Sequence, residues 1–394
     1  MKKKETFYLV LSGIFIAFYI QPAPARGEDS THPLDYPALS LADETPSSNA
    51  ITLSLTSTPQ WVFPEYPEAG SNTETSHRQP IQISPVPFAG YQDTYGFLGG
   101  AALSIYDPNN QTRLITSFLT NFEGYVRYKA RFDLRRPGEW LFSTYVSVGN
   151  DIQHYYGEGD DTPNVFQTYL GGLDLVGASF QYALSKIIYI GPSVAFNYRN
   201  WTNMTDPPMF ANESEFRVGV QATRDDRDDV LETHRGTYYQ VGLFTLPSVG
   251  NVGFGTDVWQ LEGDAREFDT IFGNVILAER ANFGWTLAGQ PSYSYEYTLG
   301  GSYELRGFNT NRFRGLDFYS LQSEARIPIF SWLMMSTGID AGDVTSTTFT
   351  NLPLVSWQIG LRSDIGEPYG VVFRIDEGFS YSGGVFIYSI NEPF

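Results

Sequence analysis

From Val86 to Phe394 the chain alternates between apolar and polar residues over segments of about 10 residues or more. In "YVRYKARFDL", Val126, Tyr128, Ala130, Phe132 and Leu134 share one face, while Arg127, Lys129, Arg131 and Asp133 share the other. "WQLEGDAR" sets Trp259, Leu261, Gly263 and Ala265 against Gln260, Glu262, Asp264 and Arg266, and "FRVGVQAT" repeats the pattern from Phe216. Side chains on a strand point alternately to opposite sides, so each segment has one greasy and one polar face. A β-sandwich shares that alternation. Length separates the two, because an ordinary strand averages about 5–6 residues and a tilted strand crossing a bilayer needs about 9–11. The apolar faces carry few charges, and aromatics recur near segment ends as an interfacial girdle requires. Hydrocarbon also forbids unpaired backbone groups, a condition that a closed barrel meets. The expected fold is all-β, a transmembrane antiparallel β-barrel over residues 86–394.

About fifteen segments are distinct, and single-chain bacterial barrels carry even numbers of strands, so about 16 are expected. The remaining one lies either in "QISPVPFAGY" near Ile83 or within the long run "VFQTYLGGLDLVGASFQYAL". The longest connections, "NWTNMTDPPMFANESE" and the arginine-rich "GGSYELRGFNTNRFRG" from Gly300 to Gly315, are expected outside the cell. Tight turns such as "LRRPGEW" are expected at the periplasmic end.

The start of the chain fits export. "MKKKE" is cationic, Phe7 to Ile20 is uncharged and mostly apolar, and "APA" at Ala23 to Ala25 offers small residues for cleavage. That run is short of the roughly 20 residues a spanning helix needs, so residues 1–25 read as a signal peptide. Residues 26–85 are rich in Ser, Thr, Pro and Glu and read as a flexible linker, with one apolar island at "ITLSLTSTPQWVF". With no cysteine, a disulfide framework and thiolate metal sites are excluded, and a net charge of −19 argues against nucleic acid as a partner. Aromatic residues at 16% against 18% charged residues complete the profile of a barrel in a Gram-negative-type outer membrane, in contact with lipid and lipopolysaccharide.

With the arginine-rich segment placed between two strands, "LGGSYELRGF" resembles the "GG-x-x-x-x-RG-F/Y" loop motif of the BamA/TamA superfamily, the bacterial surface antigen barrels. "DDRDDVLETHRG" resembles that family's "D-x-RDN-x-x-x-P-x-x-G" turn, through Asp225, Arg227, Asp228 and Gly236. "SEARIPI" resembles its "E-L-R-x-P" strand, "GIDAGDV" its "F-x-D-x-G" strand, and "GLRSD" and "FRIDEG" its penultimate strands. Thr233 stands where the family has Pro, and Ile339 replaces an aromatic. No segment long enough for POTRA repeats precedes the barrel, and no "G-x-S-x-G" elbow of the barrel-linked lipases is present, so a barrel-only member is expected.

The resemblance implies a loop folded into the lumen, with Arg306, Gly307 and Phe308 as its motif and Asp340 as the partner of Arg306. Parity supports this separately: Asp340 shares a face with Gly342, and Glu324 and Arg326 lie on the polar face of their strand. Two readings of Arg306 stand, a plain structural pin and a functional one. The implied function is protein insertion or translocation at the outer membrane, through a weak seam where Gly383, Gly384 and Pro393 lower strand pairing. The alternative is a passive channel or structural barrel. A periplasmic partner protein is expected, as is the outer-membrane assembly machinery for the barrel's own insertion. Phe386, Tyr388, Ile390 and Phe394 share one face, broken only by Glu392, and read as the assembly signal. "DDRDD" reads as a solvated rim turn rather than a Ca²⁺ site. The four histidines, His32, His77, His154 and His234, occupy no recognisable catalytic setting, so no catalytic residue, metal or cofactor is assigned.

Overall fold

The computed structural model describes residues 81–390, apart from the connections 93–95, 108–111, 122–124, 137, 204–211, 229–232, 248–256, 302, 331, 350 and 365–371, together with 6–11 and 14–19. Most of the expected leader and linker, and Pro393 and Phe394, lie outside the described residues. Thr6–Leu11 and Ile14–Tyr19 pair as a separate hairpin.

Sixteen strands form one antiparallel sheet in which every strand pairs with its neighbours in sequence. In chain order they are β1 (Gln82–Gln92), β2 (Gly96–Asp107), β3 (Thr112–Thr120), β4 (Val126–Arg136), β5 (Trp140–Tyr155), β6 (Gln167–Ala183), β7 (Ile188–Asn203) and β8 (Glu213–Asp225). They continue as β9 (Gly236–Leu246), β10 (Val258–Thr270), β11 (Ile276–Ala288), β12 (Asp317–Phe330), β13 (Leu333–Thr345), β14 (Leu354–Asp364), β15 (Val372–Ser380) and β16 (Gly383–Ile390). "QISPVPFAGY" thus supplies the missing strand, which begins at Gln82, and the long run from Val165 yields β6 alone. Strict up-and-down order puts the connections after β5, β7, β9, β11, β13 and β15 at one end. The tight turn after β4 and the "DDRDD" turn after β8 lie at the other.

Burial is inverted relative to a soluble protein, as lipid demands. Val126 and Tyr128 are 40% and 41% exposed, while Arg127, Arg131 and Asp133 on the same strand are buried. Ile339 is 60% exposed and its neighbour Asp340 is 0% exposed. The apolar face meets lipid, and the polar face lines a crowded lumen. Among the described residues, fourteen arginines and twelve carboxylates are buried, a surplus of positive charge inside a chain of net charge −19.

Candidate functional site: the lumen loop and its anchor

The connection between β11 and β12 folds inward as a small structure of its own. Tyr297–Leu299 pairs with Phe313–Gly315 as a two-stranded ribbon. Gly300 and Gly301 turn the chain at φ +113° and +102°, conformations that a side chain would strain. Tyr297, Leu299, Leu305, Phe308 and Phe313 form an apolar core with Phe318, Val344 and Leu354 of the wall. Sealing an apolar core within a polar lumen gives the loop a fixed seat.

Arg306 sits at the tip of that structure, completely buried. Its Nε and Nη2 donate to the two carboxylate oxygens of Asp340 at 2.8 and 2.6 Å, and its backbone N–H adds a third bond at 3.0 Å. A planar fork on a carboxylate is a strong, geometrically specific pairing. Nη1 reaches Glu324 as well. Glu324 is also held by Arg326 at 2.9 Å, by Arg362 at 3.1 Å and by the Gln358 amide at 3.1 Å. Arg362 and Arg374 share Asp376. Register explains the convergence: Asp340 lies opposite Gln322 and Ser356, Glu324 opposite Gly338, and Gly360 opposite Asp376. Same-face residues of β12 to β15 are thereby stacked into one network.

A family model described as the Omp85 superfamily domain matches residues 124–379, which include this whole network. The chain belongs to the Omp85 superfamily. Among solved structures, CdiB from Escherichia coli aligns with a TM-score of 0.56 at 15% identity, over 84% of this chain and 65% of that one. CdiB from Acinetobacter baumannii aligns with a TM-score of 0.53 at 15% identity, over 78% of this chain and 59% of that one. BamA from Haemophilus ducreyi lacking POTRA domains 1–3 aligns with a TM-score of 0.50 at 11% identity, over 84% of this chain and 74% of that one. At such identities the likeness is one of fold, and this chain spans less than two thirds of either CdiB chain. No curated protein sequence matches it. This Omp85 barrel is a Gram-negative outer-membrane protein.

Glycines let the Omp85 loop lie directly on the wall. A Cβ at Gly378 of β15 would fall 1.7 Å from the Arg306 carbonyl oxygen, and one at Gly307 would fall 2.5 Å from that of Phe379. The Gly307 carbonyl accepts a 2.6 Å bond from the Ser380 hydroxyl. Phe308 meets Phe313 and Tyr381 edge-on. Gly342 faces Leu299 of the ribbon, where a Cβ would come within 3.3 Å of its side chain. Arg280 of β11 fastens the neighbouring stretch, donating to the Tyr303 carbonyl at 2.8 Å and to Asp264 at 3.0 Å. Burial pushes the Glu304 carboxyl up to about 7, with Arg280 opposing the shift.

The connection after β5 clasps the loop from above. Gly159 N–H donates to the Arg314 carbonyl at 2.6 Å, and Arg312 donates to the Thr162 carbonyl at 2.6 Å while lying over the Tyr156 ring. His154 stacks on Phe166 beside this clasp.

The turn motif is far from the anchor and differs from the solvated rim turn expected of it. Arg227 is 1% exposed, folded inward onto Asp225 at 2.8 and 2.9 Å and across the Tyr238 ring. Asp228 accepts the backbone N–H groups of His234 and Arg235, and Gly236 turns at φ +107°. Reversal of the chain inside a polar lumen mouth gives Arg227 a carboxylate and a ring to bury against, which a turn in bulk water lacks.

Sequence reasoning brought Arg306, Asp340, Glu324 and Arg326 together but missed Arg362, Arg374, Asp376 and Gln358. Strand parity in "GLRSD" and "FRIDEG" carried the signal for the first three. On β16, Phe386 is exposed toward lipid, while Val385 and Ile387 are buried on the lumen face. Tyr388 and Ile390 continue the Phe386 parity along the backbone, and their side chains lie outside the described residues.

Proposed function

We propose that this barrel inserts or translocates polypeptides at the outer membrane, using the arginine-anchored loop as an internal brace. The supporting observation is that the Arg306 network ties together β12 to β15 and ends just short of β16. The sheet order runs from β1 to β16 with no ladder between those two strands among the described residues. A braced wall beside an unbraced edge gives a seam that opens before anything else does. Gly383 and Gly384 at the start of β16 weaken pairing there. A periplasmic partner would deliver the passenger.

Comparing the outer-membrane and surface proteins of cells with and without this gene tests the reading. Loss of specific proteins is expected, restored by the wild-type gene. Oxidised cysteine pairs placed across β1 and β16 should abolish that restoration until a reductant is added. Unchanged protein content with altered solute permeability would instead favour the passive channel.

The C-terminal strand carries a separate expectation. Phe386, Tyr388, Ile390 and Phe394 are proposed to form the assembly signal, so deleting Phe394 should lower the level of folded barrel severalfold without altering synthesis. Heat-dependent gel migration of membrane fractions measures this, and unchanged levels would remove the role.

A further inference from the structure

The loop and its anchor occupy only part of the lumen. Across from them, β4 to β9 line a recess, partly open to solvent, that neither the loop nor the clasp fills. Its lining comes from the ends of β4, β6 and β8 and the starts of β5, β7 and β9, which places it at the end of the barrel opposite the lumen loop's entry. The loop packs beside it: Gln260 donates to the Tyr295 carbonyl at 2.8 Å, and Arg217 of the lining lies 5.8 Å from the Tyr295 ring.

The charged residues lining the space are Arg131, Arg135, Arg217 and Asp225. Neutral hydrogen-bonding groups such as Ser143, Gln181, Ser193 and Gln240 fill the intervals. Asp225, the sole carboxylate among them, is engaged by Arg227. Arg131 pairs with Asp133 at 2.7 Å, Arg217 with Glu262, and Arg135 donates to the Tyr189 hydroxyl at 3.4 Å. Within the lining itself, three guanidiniums stand against one carboxylate. Arg217 also carries a buried Nε–H that no protein atom accepts. The outside of so acidic a chain repels anions, whereas this recess concentrates positive charge against low-dielectric walls.

We propose that this vestibule is a binding site for anionic ligands, recognised through carboxylate or phosphate oxygens. Arginine suits that role, because its planar fork matches both oxyanions. A cleft lined by one sign of charge focuses the field and raises the local concentration and capture rate of counter-ions. The proposal rests on the lumen wall alone and holds equally for a translocating or a passive barrel.

The cysteine-free chain makes the local potential measurable. Ser193→Cys places one thiol in the vestibule, and Ser185→Cys places one on the exposed turn at the same end of the barrel. The full-length protein in detergent is treated with anionic sulfonatoethyl and cationic trimethylammonioethyl methanethiosulfonates. At low salt the anionic reagent should label Ser193→Cys about tenfold faster, relative to the Ser185→Cys control. The ratio should collapse near 1 M salt, where screening acts within about 3 Å. Arg135→Glu should erase the preference. Gln240→Glu should reduce it while keeping every cation, which covers failure of the first variant to fold. Inorganic phosphate and a hexaglutamate peptide are then tried as protectants, and protection by phosphate or only by the peptide distinguishes a small anion from an acidic polypeptide. Equal rates, a cationic preference, no labelling by either reagent, or protection by neither ligand would overturn the proposal. None of these results bears on the gene-deletion comparison, so the two readings fail separately.

Discussion

An Arg306→Glu variant is expected to release the lumen loop, leaving Gly300 to Gly315 sensitive to added protease in intact cells. The guanidinium is fully buried and bonded to Asp340 at 2.8 and 2.6 Å. Removing one partner of such a pair costs roughly 3–5 kcal/mol, since the other charge is left buried and unpaired. Reversing the charge adds repulsion from both Asp340 and Glu324. The wall itself should survive, because Arg326 and Arg362 still hold Glu324. Asp340→Arg alone should do similar damage. The charge-swapped double variant should recover only part of the loss, because the new carboxylate at position 306 still faces Glu324. Residues in direct contact show coupling of about 0.5–3 kcal/mol. Strictly additive damage in the double variant, read by proteolysis and by heat-modifiability, would show that the Arg306–Asp340 contact does not hold the loop.

Much of this anchor was legible in the sequence because its parts follow from strand geometry. Period two follows from the covalent chain, so Ile339 and Asp340 had to face opposite sides once their segment was a strand. Arg306 was marked by its glycine-rich motif. Arg362, Arg374 and Asp376 had the correct parity, but parity does not say which residue lies across from which. That depends on register, which in a hairpin is fixed by turn type and loop length. The clasp of Tyr156, Gly159 and Thr162 on Arg312 and Arg314 left no sequence trace. It joins connections about 150 residues apart in the chain, partly through backbone groups, which every residue carries. The burial of Arg227, a residue named in the turn motif, escaped for a related reason: five charged residues in a row resemble a solvated turn until a tyrosine and a lumen mouth are placed beside them.

A Gly378→Ala variant should expel the loop without altering a single charge. Gly378 lies within β15, opposite Gln358 and Val385. Glycine weakens a strand interior, so alanine there would ordinarily strengthen the sheet. Here the sign reverses, because the new methyl would sit 1.7 Å from the Arg306 carbonyl oxygen and 2.9 Å from the Gly307 nitrogen. Both are backbone atoms of a segment fixed by Asp340 and Ser380, so no rotamer change relieves the overlap. Overpacking of this kind costs about 1–3 kcal/mol, and a rigid backbone neighbour puts this site at the upper end. Gly384→Ala on the adjacent strand is the control, since its nearest neighbour atom would be 3.5 Å away. The expected result is a protease-sensitive loop in Gly378→Ala, with Gly384→Ala as protected as wild type. The barrel should remain heat-modifiable in both, separating loop release from misfolding. Full protection of the loop in Gly378→Ala would mean that the Arg306 backbone does not rest on β15, and the brace beside the seam would lose its steric basis.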